Sequence, residues 1–184
     1  MVDPFAVDVP EELATARLVL RAAEIEDADD LHAAIAQSRD HLRPFAAWAQ
    51  LDLDLDDIEC RIRRHRGYFA ARDSFEWLLW SRDTSTLFGS IDLHSCEWAL
   101  GRAELGFWLT ATAQGQGYVV EAAAAVLALG HQWFPRIEAR CDVRNARSRA
   151  TLARCGFSHE GTLRARMRGA DGALTDECIF AHFA

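Results

Sequence analysis

Lysine is absent: all 20 basic residues of this 184-residue sequence are arginine. They are outnumbered by 28 acidic residues, which leaves a formal net charge of -8. That shortage of positive charge excludes a general nucleic-acid binder, which needs an excess of base to neutralise phosphates. It leaves room for a local basic pocket that holds one anionic small molecule. Arginine is the better phosphate fork, but the bias runs through the whole chain, so nucleotide composition explains it more simply than function. The five cysteines (Cys60, Cys96, Cys141, Cys155, Cys178) are odd in number and widely spread. Without a CxxC pair they predict neither a disulfide framework nor a zinc site, and reduced thiols fit a cytoplasmic location. None of the seven histidines pairs at metal-ligand spacing, so no metal is expected. A basic leader is missing from Met1 to Glu12. The longest apolar run, Ala122 to Gly130, is far too short to span a bilayer. No Pro-, Gly- or Ser-rich linker and no internal repeat divides the chain.

What remains is the composition of one globular domain: half the residues are hydrophobic and 26% are charged. Residues 1–14 read as a loosely ordered leader. Arg17 to Arg21 reads as a strand. Acids at 26–30 start a helix in which Leu31, Ala34 and Ile35 recur at helical spacing. His41 to Gln50 is irregular or a short helix, and a second helix runs from about Leu55 to Phe69. Phe75 to Trp80, Leu87 to Leu93 and Ala103 to Leu109 are strands, with Gly89 a bulge or a point of close approach. Gly117 to Phe134 is an alanine-rich helix stopped by Pro135. Ile137 to Val143 is a strand, and Ala146 to Arg154 is a helix ended by Gly156. Phe157 to Arg166 and Leu174 to Phe183 form a hairpin around Gly169-Ala170-Asp171-Gly172, whose Asp-Gly is a turn signal. The order predicts an α/β (α+β) domain on a single mixed, mostly antiparallel sheet of about seven strands, flanked by helices.

The most informative stretch is Glu104 to Tyr118: a strand, a short loop, then Gly115-Gln116-Gly117 opening a long helix. Glycines let a ligand approach the backbone, and the first helical turn offers unpaired N–H groups in a positive end-field. Together they suit a pyrophosphate, although a turn that merely needs flexible residues has the same signature. A P-loop is excluded, because Tyr118-Val119 stands where Lys-Ser/Thr is required. A dinucleotide fingerprint is excluded, because its third glycine position is Val120.

With Thr15 to Arg21, Gly89-Ser90-Ile91, Glu104 to Leu109, Gly115 to Ala122, Arg140 to Ser148, Cys155 to Gly161 and the Gly172 to Asp176 hairpin in this order and spacing, the chain resembles the GCN5-related N-acetyltransferases (GNAT). Within them it resembles the RimL/RimJ-type enzymes that acetylate ribosomal-protein serine or alanine N-termini. The resemblance covers nearly the whole chain. It implies acetyl-CoA as cofactor and direct attack by an amine, and members of the family often pair as homodimers; the charge balance and the short apolar runs predict no nucleic-acid and no membrane partner. Three roles are then needed: a proton acceptor, oxyanion donors and a partner for the leaving thiolate.

Glu104, at the start of the strand before the loop, is the first choice of base, directly or through a water; a substrate-orienting charge is the alternative. Glu121 is second, although a helix N-terminus favours an acid there anyway. The resemblance further implies that backbone N–H groups of Phe107, Trp108 and Leu109 hold the acetyl carbonyl and pantetheine arm, which requires a bulge that splays this strand from the next. Gln114, Gly115, Gln116, Gly117 and Tyr118 would wrap the pyrophosphate. Asn145 is an N-cap that also contacts pantetheine in such proteins, and Ser148 would stabilise the thiolate. Arg147, Arg149 and Arg154 could meet the 3′-phosphate or simply form a solvated face, the plainer reading also of the Arg61 to Arg66 basic run. Trp48 lies in the region that shapes the acceptor pocket. Two positions depart from the family pattern: Thr112 stands where Arg or Gln begins the loop, and Met167 stands where close RimL relatives carry a glutamate. The implied acceptor is a protein N-terminus. Alternatives are a small-molecule amine (antibiotic, aminoacyl nucleotide, polyamine) or a non-catalytic acetyl-CoA-binding role.

Overall fold

The computed structural model describes residues 3–82, 86–169 and 172–184. One sheet of eight strands runs through it in the order β1-β2-β3-β4-β5-β6-β8-β7. The strands are β1 Glu12–Ala14, β2 Leu18–Arg21, β3 Phe75–Ser81, β4 Leu87–Glu97, β5 Arg102–Leu109, β6 Arg136–Asp142, β7 Ser158–Arg168 and β8 Leu174–Phe183. The helices are α1 Ala28–Leu42, α2 Leu55–Ala71, α3 Tyr118–Gly130 and α4 Ala146–Arg154. All strand pairs are antiparallel except β5–β6. A parallel pair needs a crossover, and α3 is that crossover, so its N-terminus lands beside the C-terminal end of β5.

The mixed α/β architecture and the mostly antiparallel sheet are as expected. The additional strand, β1, lies in the segment expected to be a loose leader. It pairs with β2, Val9 is buried beside it, and the Trp77 indole donates to the Pro10 carbonyl at 3.0 Å. The alanine-rich helix stops at Gly130, short of Pro135. His131 follows it, with Nδ1 2.8 Å from the Phe134 carbonyl and Nε2 2.7 Å from His182 Nδ1 of β8, and the turn buries Phe134 completely. The Gly169 to Gly172 turn includes Ala170 and Asp171, which lie outside the described residues; its flanks pair as Arg168↔Leu174.

Helices cover both faces, which is why β3 is buried at nearly every position. Trp77, Leu79, Ile91, Leu93 and Leu105 pack with Ala122, Ala123 and Val126 of α3. Leu78, Trp80 and Trp108 pack on the opposite face with Leu31 and Ile35 of α1 and Ile58 and Ile62 of α2. Gly89 is the expected point of close approach. Its φ is 146°, and a Cβ there would stand 2.1 Å from the Trp108 carbonyl oxygen. Its bareness lets the end of β5 lie tight against β4.

Candidate active site

The site begins where β5 and β6 part. Their parallel pairing covers Arg102↔Arg136, Ala103↔Ile137 and Glu104↔Glu138, whereas β5 continues to Leu109 beside β4 and β6 continues to Asp142 beside β8. The two strands therefore form a V with Glu104 at its apex. No register shift in β5 is needed: drawn toward β4 at Gly89, it diverges from β6. Backbone groups on the inner edge of β5, from Gly106 onward, lack a neighbouring strand. Such an edge can hydrogen-bond an extended, amide-bearing ligand as a strand would. Phe107 and Leu109 alternate onto this edge, where His41 Nε2 stands 3.0 Å from the Leu109 carbonyl, whereas the Trp108 carbonyl faces Gly89 on the β4 side.

The mouth of the V is closed by the glycine loop. Gly115 and Gly117 have φ of 77° and 79°. A Cβ at Gly115 would meet nothing within 4 Å, and one at Gly117 only an Arg17 nitrogen at 3.7 Å. The N–H groups of Gly115, Gln116 and Gly117 donate to no acceptor among the described residues. This is a bare cradle of donors at a helix N-terminus, and it fits a pyrophosphate. Side chains brace it from behind. Arg147 donates to the Gln114 side chain at 2.7 Å, and Arg17 donates to the Gln116 carbonyl at 3.0 Å. Arg17 also lies over the Tyr118 ring, which stacks on Phe88. Glu121 is fully occupied here: it accepts from the Thr15 hydroxyl at 2.6 Å, from Arg17 N at 2.7 Å and from Arg17 Nε at 2.6 Å. It anchors the start of β2 to α3 and takes no part at the apex. A cleft of about 40 Å³ runs from Leu109 past Gly115, Gly117 and Tyr118 to Thr151 and Arg154.

Asn145 caps α4, its Oδ1 accepting from Ser148 N at 3.0 Å. Cys141 lies on the diverging half of β6, and burial pushes its thiol up to about 11 against the lowering effect of the Ser148 side chain. Cys141 packs with Ala103, Leu105 and Ala139 on the α3 face. Glu104 projects to the other face, toward α1 and α2. The two catalytic candidates thus flank the V from opposite sides. Glu104 is not isolated: Oε2 lies 3.2 Å from Arg140 Nε, and Oε1 lies 3.6 Å from His94 Nε2. His94 in turn sits 2.6 Å from Asp92 Oδ1 through Nδ1. Burial would lower the His94 pKa, but the two carboxylates outweigh it and raise it to about 10, so the ring is an imidazolium at neutral pH. Farther along this face, Trp48 packs edge-on against Trp108 with ring centres 5.6 Å apart, and Arg61 lies over Trp48. Thr112 hydrogen-bonds Thr110 within the loop, and Met167 stands on edge strand β7.

Sequence reasoning missed Asp92, His94, Arg140 and Cys141. The alternation of Asp92 and His94 with the buried Ile91 and Leu93 was the available signal.

Comparison with known proteins identifies this geometry. Residues 17–158 match the acetyltransferase (GNAT) domain. The chain is 26% identical over 157 residues to the uncharacterized N-acetyltransferase YoaA of Bacillus subtilis (strain 168), covering 84% of this chain and 87% of YoaA. Its fold matches the microcin C7 self-immunity acetyltransferase MccE in complex with acetyl-CoA and AMP, with a TM-score of 0.90 and 22% identity over 96% and 98% of the two chains. It also matches RimL, the ribosomal L7/L12 alpha-N-protein acetyltransferase, in complex with coenzyme A, with a TM-score of 0.87 and 20% identity over 94% and 98%. Among the described residues no helix is long and apolar enough to cross a membrane. The diverging strands, the glycine cradle at their mouth and the family match agree: the chain belongs to the GNAT acetyltransferases and is an acetyl-CoA-dependent N-acetyltransferase.

Proposed function

We propose that the acceptor is the N-terminal α-amine of a protein, a ribosomal protein foremost. The observation that carries the reading of the site is the V with Glu104 on one face and Ser148 on the other. Acetyl-CoA lies with its pyrophosphate on Gly115 to Tyr118, its pantetheine arm along the free edge of β5 and its thioester near the apex. The amine approaches from the Glu104 face. Its lone pair forms the N–C bond, the C–S electron pair leaves as thiolate toward Ser148, and the proton shed by nitrogen goes to Glu104 directly or through a water. The backbone N–H groups in the Phe107 to Leu109 stretch that face the free edge receive the oxyanion. RimL supports the protein-terminus reading. MccE, whose structure holds AMP, favours a second reading in which the acceptor is a small amine joined to a nucleotide.

The deciding experiment is thiol release from acetyl-CoA across N-terminal Ser and Ala peptides, aminoacyl nucleotides, aminoglycosides and polyamines. Turnover confined to peptides is expected; turnover confined to aminoacyl nucleotides selects the second reading. Ser148→Ala should lower kcat by about 100-fold, as loss of one charge-stabilising donor does, while the acetyl-CoA Kd holds. Unchanged kcat would remove Ser148 from the mechanism.

A further inference from the structure

A cavity of about 410 Å³ lies on the Glu104 face, away from the glycine loop. Asp92, His94 and Ser95 of β4, His65 of α2, and Asp73 and Ser74 of the turn after α2 line it. His94 connects it to the apex: one edge of the imidazole meets Asp92, and the other meets Glu104. The cavity therefore ends one ring's width from the carboxylate at the apex.

Asp92 is built into this floor. A Cβ on Gly106 would stand 2.8 and 3.0 Å from the two Asp92 carboxylate oxygens, so the carboxylate occupies the space a side chain on β5 would fill. Gly106 is the second residue past the last β5–β6 pair, on the arm of the V. Only Oδ1 is engaged, by His94; Oδ2 accepts no hydrogen bond among the described residues. The Asp92 side chain keeps 23% of its exposure, so this oxygen remains reachable. Glu104, by contrast, is already held by Arg140 and His94. Toward solvent, the exposed Asp73 carboxylate makes no ion pair or hydrogen bond among the described residues. At the β4 end, Ser95 has a φ of 51°, in the irregular stretch where pairing shifts between His94 and Glu97. Such bulges re-aim side chains beside a site.

We propose that this cavity is the entrance for the acceptor and that Asp92, positioned by His94, binds its ammonium group before Glu104 takes the proton; this rests on the transfer reading above. A primary aliphatic amine is cationic at neutral pH, and an α-amine is partly so. A half-buried carboxylate with one free oxygen and a fixed orientation holds such a group by a charge-assisted hydrogen bond. Asp73 at the rim adds attraction for basic acceptors over neutral ones. His94 lines the cavity beside Asp92 and acts as a positioning residue for it, its Nδ1 fixing the carboxylate at 2.6 Å.

The test compares two acceptors, Ser-Ala dipeptide amide, which carries an ammonium group, and methoxyamine, which is uncharged at neutral pH. Asp92→Asn should raise KM for the dipeptide amide by about 10- to 100-fold, the worth of a hydrogen bond to a charged group. KM for methoxyamine and Kd for acetyl-CoA should stay within about twofold, with an unchanged melting temperature. Ser74→Trp, which plugs the cavity, should slow both acceptors while acetyl-CoA still binds. Equal loss with both acceptors in Asp92→Asn, an unchanged KM for the dipeptide amide, or full activity of Ser74→Trp would each overturn the proposal. Should the wild-type protein turn over neither amine, the transfer reading for these acceptors fails. Calorimetry of the dipeptide amide against coenzyme A-saturated wild type and Asp92→Asn then decides the ammonium site alone: binding lost in the variant upholds it, and equal or absent binding overturns it.

Discussion

Glu104→Gln should lower kcat by about 100- to 1000-fold while leaving the acetyl-CoA Kd within about twofold, the effect of removing a positioned base. Glu104 occupies the last paired position of β5 and β6, so its side chain leaves the sheet at the apex of the V. Glutamine keeps the length and volume of the side chain, and Glu104 is only half-buried, so the fold should survive. What glutamine cannot do is accept the proton of the attacking nitrogen or balance the charges of Arg140 and His94, both within 3.6 Å. The rise of kcat on the alkaline side should flatten accordingly. A profile superimposable on wild type would sink Glu104 as the base. A raised acceptor KM with kcat intact would instead make it a substrate-orienting charge. Because Glu121 is tied to Thr15 and Arg17, it cannot substitute for Glu104. Glu121→Gln should therefore disturb the glycine loop and acetyl-CoA affinity before it disturbs the pH profile.

The cofactor half of this site was legible in the sequence because it is made from local chemistry. Gly115 and Gly117 must take positive φ, Asn145 must cap α4, and Gly89 must let another backbone pass; each demand falls on one residue type. The family resemblance then assigned those positions to one cofactor. The acceptor half was not legible, because it is made from pairing across elements. Asp92 meets Glu104 only through a histidine two residues on, and Gly106 matters only because Asp92 lies over it. Nothing in the order of residues along β4 or β5 announces the register that brings them together. Strand β1 escaped for a related reason. It is three residues long, and its position is set by pairing with β2 and by the Trp77 indole rather than by its own composition. The V itself was expected only through resemblance. It arises from two strands ending their pairing at a shared position, which leaves no mark on any side chain.

Glu76 shows the same limit and carries the largest expected effect on stability. The sequence places it among aromatics in β3, where an acid has no business unless it is paired, and the partners are two half-buried side chains of α2 and a serine of β4. Arg61 Nη2 donates to its Oε1 at 2.5 Å, the Ser90 hydroxyl donates to the same oxygen at 3.0 Å, and His65 Nδ1 stands 2.7 Å from Oε2. Burial alone would raise the carboxyl's pKa, but Arg61, His65 and Ser90 outweigh it and hold it down from 4.5 to about 2. Because the folded pKa lies below the unfolded one, the stabilisation is complete above about pH 4.5 and is lost as pH falls toward 2; it amounts to about 3 kcal/mol. Glu76→Leu at pH 7 should cost about 3–5 kcal/mol, since it strands a buried guanidinium without its counter-charge. Urea denaturation of wild type and variant across this range is the measurement. The gap between them should narrow as acid protonates Glu76 in the wild type, because Arg61 then lacks its partner in both. A gap independent of pH would show that packing, and not the ion pair, fixes α2 to β3. The loss should also reach the acceptor side, because Arg61 lies over Trp48 and Trp48 packs on Trp108. Acceptor KM in Glu76→Gln should therefore rise while acetyl-CoA affinity, set at the glycine loop on the far side of the V, stays as it is.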